Sequence, residues 1–183
     1  MDLRKFVRKE IHNLEPCVHG GTIYELFEEG FEYNEILDFS SNINPLGPSE
    51  KVANVIQKFM KFIHFYPDSQ STELRKVLSK YHNLDFSNII VGNGSSEILW
   101  LIGKTFISRN NKVIIPIPTF GEYEIVVKVL GGIPIFIPLN NNFSIDVDKI
   151  IENFGDAKLL FLCNPNDPTG KLIQKKDLLK LIK

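Results

Sequence analysis

The run Leu159-Leu160-Phe161-Leu162-Cys163-Asn164-Pro165-Asn166-Asp167-Pro168-Thr169-Gly170 passes from five apolar residues straight into a turn held by two prolines and a glycine. So apolar a strand suits the centre of a sheet that is covered on both faces. The turn that follows presents amide and carboxylate side chains at a fixed place. Outward from it, short β-branched runs alternate with amphipathic stretches. Strands are expected at 36–40, 89–91, 113–115, 133–137 and 159–163. Ser49 is placed to cap a helix carrying Val52, Val55, Ile56, Phe59 and Met60 on one face. Further helices are expected at 71–82, 95–107, 120–130, 146–154 and 174–183. Alternation on this scale predicts an α/β fold: a mostly parallel sheet with helices on both faces. In such sheets ligands gather at the carboxyl ends of the strands.

The composition narrows the function classes. Of 183 residues, 43% are hydrophobic and 23% charged, as in a globular protein rather than a disordered one. The formal charge of -1 offers no basic excess for a phosphate backbone, which argues against nucleic acid as a partner. No apolar run approaches the roughly 18 residues that span a bilayer. The charged start, with Arg4, Lys5, Arg8, Lys9 and Glu10, is followed by no apolar segment. Cys17 and Cys163 stand far apart, and the four histidines add no metal-ligand spacing. The chain therefore reads as cytoplasmic and without a metal site.

Three turns lie where ligands would gather. Val91-Gly92-Asn93-Gly94-Ser95-Ser96-Glu97 opens a helix through two glycines, so that Gly94, Ser95 and Ser96 could hold an anion on backbone N–H groups and hydroxyls. A dinucleotide fingerprint would need a third glycine and an acidic residue closing the next strand. That strand closes on Pro116-Ile117-Pro118 instead. In the second turn, Pro116-Ile117-Pro118-Thr119-Phe120-Gly121-Glu122-Tyr123, the ring of Phe120 could lie over a planar heterocycle or simply join the core. The third is Asn164–Gly170 itself, a candidate site or a rigid surface loop.

Taken together these turns resemble the fold-type-I pyridoxal-phosphate enzymes, and within them the class I/II aminotransferase group. Asn164–Gly170 is similar to that group's Asn-Pro-Asn-Asn-Pro-Thr-Gly signature, Gly92–Glu97 to its phosphate cup, and Pro118-Thr119-Phe120-x-x-Tyr123 to its ring-stacking loop. Tyr66-Pro67-Asp68 resembles the segment whose tyrosine reaches the cofactor phosphate of the neighbouring subunit. Phe39–Gly47, with Asn42, resembles the substrate-lining segment of histidinol-phosphate aminotransferases and threonine-phosphate decarboxylases. His19-Gly20-Gly21, and the wording of 42–47, lean toward L-threonine-O-3-phosphate decarboxylase, an enzyme of cobalamin biosynthesis. The alternative is histidinol-phosphate aminotransferase.

The resemblance implies pyridoxal 5'-phosphate as cofactor, bound by Gly94, Ser95, Ser96, Phe120 and Asp167, with Tyr66 arriving from a second copy of a homodimer. It implies a phosphorylated amino acid or amine as substrate, met by His19, Gly20, Gly21 and Asn42. It divides the chain into an arm and substrate-lining segment, 1–48, and the N-terminal portion of the large cofactor domain, 49–183. Asp167 departs from the pattern, because relatives commonly carry an asparagine there that donates to the ring's phenolate oxygen. An ionised carboxylate only accepts. Either Asp167 is protonated, or Asn166 supplies the donor, or the cofactor is weakly held. The family's Schiff-base lysine is expected beyond residue 183, so this chain reads as the N-terminal half of such an enzyme and is expected to be inactive by itself. A non-enzyme alternative is a binding domain that keeps the phosphate cup without the chemistry.

Overall fold

The computed structural model describes residues 3–17, 20–21 and 23–182. These fall into two compact units, one made of Met1–Cys17 with Gly92–Lys183 and the other of Val18–Val91.

The first unit is built on a parallel sheet. Its strands are β1 (Lys112–Ile117), β2 (Ile133–Pro138) and β3 (Leu159–Leu160), in the order β2-β1-β3. β1 pairs with β2 from Lys112↔Ile133 to Ile117↔Pro138, and with β3 at Val113↔Leu159 and Ile114↔Leu160. The strand expected at 159–163 is thus short, and β1 takes the middle. The reason lies in β1's side chains: Val113, Ile114 and Ile115 are wholly buried and alternate between the two faces.

Helices cover both faces, as expected. On one side Val113 and Ile115 pack with Ile107, Tyr123, Val127 and Phe161, under Leu99 and Ile102 of the helix Gly94–Phe106. On the other, Ile114 and Ile137 meet Ile150 of the helix Val147–Phe154, joined by Leu181 of the helix Lys175–Ile182. The helix Glu122–Val129 lies against Gly94–Phe106 so closely that a Cβ on Gly103 would sit 2.5 Å from Val126 Cγ1. In chain order these four helices are α4 (Gly94–Phe106), α5 (Glu122–Val129), α6 (Val147–Phe154) and α7 (Lys175–Ile182). The arm before Cys17 is pinned to this unit by Arg8, whose Nη2 donates to Val129 O at 2.8 Å, and by a 2.6 Å Glu10–Arg109 ion pair.

The second unit carries α1 (Ile23–Glu28), α2 (Glu50–Phe59) and α3 (Thr72–His82). Ser49 caps α2 as expected, accepting from Lys51 N. α3 is capped by Asp68 rather than Ser71: its carboxylate accepts from Gln70 N and Thr72 N at 2.9 and 2.7 Å. None of the described residues of this unit is buried.

Two expected strands do not form among the described residues. At 36–40 the Asp38 carboxylate accepts from Ser40 N at 2.7 Å and folds the chain into an Asx-type turn, which competes with a ladder. At 89–91 Ile89 has extended dihedrals, but the segment pairs with no strand among the described residues. β propensity marks a chain that fits a pleated surface and supplies no neighbour. No helix among the described residues is long and apolar enough to cross a membrane, and no group of three or more metal-ligating side chains occurs among them.

Candidate functional site

Because β1 and β3 run parallel and adjacent, the turns that leave their carboxyl ends emerge side by side. One side chain ties them. Asn166, 5% exposed, accepts from Thr119 Oγ1 at 2.8 Å and donates through Nδ2 to Pro118 O (3.1 Å) and Thr169 Oγ1 (2.9 Å). Its backbone also bonds Lys171 O and Gly170 N, closing the Asn164–Gly170 turn on itself. The amide of Asn166 is therefore fully engaged in holding the two turns together. It has no donor left for a ligand, which removes one of the three options raised by Asp167.

Beside this clamp lies a cavity of about 590 Å³. Ser95, Phe120 and Asp167, one residue from each of the three turns singled out in the sequence, line it together. Gly94 and Ser96 flank Ser95 at the start of α4 and are not among the lining residues. The first N–H groups of a helix have no partner within it, so this end of the cavity favours an anion. The α4 entrance is shaped by Glu97, whose carboxylate accepts from the backbone N–H of Asn93 and from Asn93 Nδ2.

The walls contain two residues that motif reading missed. Ile98 and Leu99 lie three and four positions after Ser95 on α4. Helical spacing was the available signal, since residues three and four apart share a face. Tyr123, the last residue of the ring-stacking motif, lines the cavity too. Tyr123 stacks on Phe161 at 5.0 Å and meets Phe120 edge-on at 5.8 Å. Burial pushes its phenol well above the ordinary range, and the hydrogen bond with Cys163 and the charge of Asp167 act in the same direction. Tyr123 is thus a neutral hydroxyl at any physiological pH. Cys163 also lines the cavity; its Sγ donates to Pro165 O at 3.2 Å and accepts from Asp167 N at 3.4 Å.

The remaining expected site residues belong to the second unit. Gly20 approaches Ser40 so closely that a Cβ would lie 2.0 Å from Ser40 O, and Gly21 N donates to Ser40 Oγ at 3.1 Å. This brings Gly20 and Gly21 onto the segment that carries Asn42, which is exposed. Tyr66 is fully exposed. His19 lies outside the described residues.

Residues 34–183 match the family model for aminotransferase class I and II. The chain belongs to the class I and II aminotransferase family. Among curated members it is 37% identical, over 98% of its length, to a histidinol-phosphate aminotransferase from Methanosarcina mazei. That alignment spans 50% of the relative, so the chain covers about half the length of the curated aminotransferases it matches. Among solved structures it resembles the histidinol-phosphate aminotransferase from Clostridium acetobutylicum, with a TM-score of 0.72 and 36% identity over 80% of this chain and 43% of that one. The enzyme from Sinorhizobium meliloti, solved in complex with pyridoxal-5'-phosphate, shares the fold at a TM-score of 0.85 and 20% identity over 96% of this chain and 47% of that one. L-threonine-O-3-phosphate decarboxylase from Porphyromonas gingivalis reaches 0.62 and 28% over 73% of this chain and 40% of that one. The comparisons favour the aminotransferase branch over the decarboxylase that the wording of 19–21 and 42–47 suggested.

Proposed function

We propose that this chain forms the cofactor-holding part of a pyridoxal-phosphate-dependent histidinol-phosphate aminotransferase. The observation that carries the reading is the convergence of Ser95, Phe120 and Asp167 on one cavity at the carboxyl rim of a parallel sheet. The residues suit the group. An anion-favouring helix start stands at Ser95, an aromatic side chain at Phe120, and apolar walls at Ile98, Leu99 and Leu162 give a flat ring a place out of water.

In this reading Gly94, Ser95 and Ser96 hold the cofactor's phosphate, with Tyr66 of a second copy completing that end. Phe120 would stand against the ring, and Asp167 against its oxygen. Asn166 keeps Phe120 and Asp167 at a constant separation by tying their turns. Tyr123 excludes water from the floor while its hydroxyl stays protonated. To His19, Gly20, Gly21 and Asn42 the family resemblance gives the substrate, a phosphorylated amine. When bound, the cofactor supplies an electron sink for the bond broken at the substrate's α-carbon.

The name of the relatives supports histidinol phosphate as the substrate. With pyridoxal phosphate present, histidinol phosphate should raise the melting temperature of the protein and threonine phosphate should not. A larger shift with threonine phosphate would favour the decarboxylase instead.

A further inference from the structure

The cofactor reading puts a ring and a phosphate in the cavity, and the role inferred for Asp167 rests on that reading. Two of the cavity's polar places have opposite character; Asn164 also lines it, with its Oδ1 accepting from Ile173 N at 3.2 Å. At Ser95 the start of α4 favours an anion. At Asp167 a carboxylate, once ionised, can only accept hydrogen bonds. Asp167 is the only formally charged side chain among the described lining residues. α4 contributes Ser95, Ile98 and Leu99 to the cavity, and none of them is cationic. Phe120 and Tyr123 come from the second turn and α5, and Tyr123 stays neutral. Cys163 is engaged with Pro165 O and Asp167 N. Asn166, next in the chain, has its amide committed to Pro118, Thr119 and Thr169.

We infer that Asp167 selects the form of a hydroxypyridine ligand in which the ring oxygen carries a proton. In water such a ring shares one proton between its nitrogen and its oxygen. An ionised ring oxygen facing Asp167 would meet a like charge in a half-buried place. A protonated one donates to the carboxylate in a charge-assisted bond. The proton count is unchanged: the ring nitrogen gives up its proton and the ring oxygen takes one. The site thus sets the electronic state of its ligand with a residue on this chain alone.

The test uses pyridoxine 5'-phosphate, which lacks the aldehyde and cannot react with surface lysines. The ligand retained after ultrafiltration at neutral pH is read by its absorption spectrum. Bound to the unmodified protein, it should show mainly the shorter-wavelength band of the un-ionised hydroxyl. Asp167→Asn should move the bound ligand to the longer-wavelength band of the ionised oxygen, and Asp167→Ala should move it the same way by less. The same band in all three proteins, with ligand retained, overturns the inference and leaves the cofactor reading standing. The spectra of the variants are read at ligand concentrations that saturate them, since losing the charge-assisted bond to the carboxylate weakens retention. No retention by any of the three defeats the cofactor reading and this inference with it.

Discussion

The hydroxyl of Thr119 donates to Asn166 Oδ1 at 2.8 Å across 47 residues of chain, joining the turn after β1 to the turn after β3. Asn166 is buried and Thr119 half-buried, and the same amide reaches Pro118 O and Thr169 Oγ1. Replacing Asn166 by Ala leaves those partners unsatisfied, which costs about 1–3 kcal/mol each where the group stays buried. Asn166→Ala should therefore lower stability by more than Thr119→Val, which removes a single bond worth about 1 kcal/mol. Denaturant melts of the two single variants and the double variant check this. Additive losses would show that the two residues are not coupled.

Phe120 gives the cavity a flat aromatic wall. Phe120→Leu keeps apolar contact and loses the face of the ring, a difference of about 0.5–1.5 kcal/mol in stacking. Binding of pyridoxal phosphate should weaken several-fold with little change in melting temperature. Fluorescence titration of the two proteins reads the difference, and equal affinities would place the ligand elsewhere.

Asp68 holds the start of α3, and its carboxyl lies below the ordinary range because it accepts from the Thr72 side chain and from the backbone N–H groups of Gln70 and Thr72. A lowered folded-state value means stability that is present above the unfolded value, about 3.9, and lost as pH falls through the folded one. The stability advantage of the unmodified protein over Asp68→Asn should be full at pH 6 and vanish as the pH is lowered past that window. Urea melts monitored by circular dichroism at a series of pH values measure it. A difference that persists in acid would show that the charge is not what caps the helix.

The three turns at the rim, and the helices from α2 to α7, could be read from glycine, proline and apolar spacing, because those signals are local. The strands expected at 36–40 and 89–91 carried the right residue types, yet a ladder needs a partner that local composition cannot supply. The central place given to 159–163 failed for a similar reason: apolarity marks burial, and Val113, Ile114 and Ile115 of β1 are buried more completely. Asn166 was read as a member of a rigid turn. Its grip on Thr119 depends on β1 and β3 being neighbours, which only the assembled sheet shows.

Gly20 admits no side chain where it meets Ser40 O. Gly20→Ala must push that carbonyl away, and because both residues are exposed the shift should cost little stability while breaking the local contact. The Gly21 amide, now bonded to Ser40 Oγ, should exchange its proton faster in the variant. Amide exchange followed by NMR tests this, and unchanged protection at Gly21 would contradict the contact.

A crystal structure of the protein grown with pyridoxal phosphate would locate the cofactor. The phosphate should lie at the start of α4 beside Ser95, with the ring against Phe120 and the ring oxygen toward Asp167. Ligand bound away from that cavity, or a cavity in which those three side chains no longer face one another, would contradict this placement.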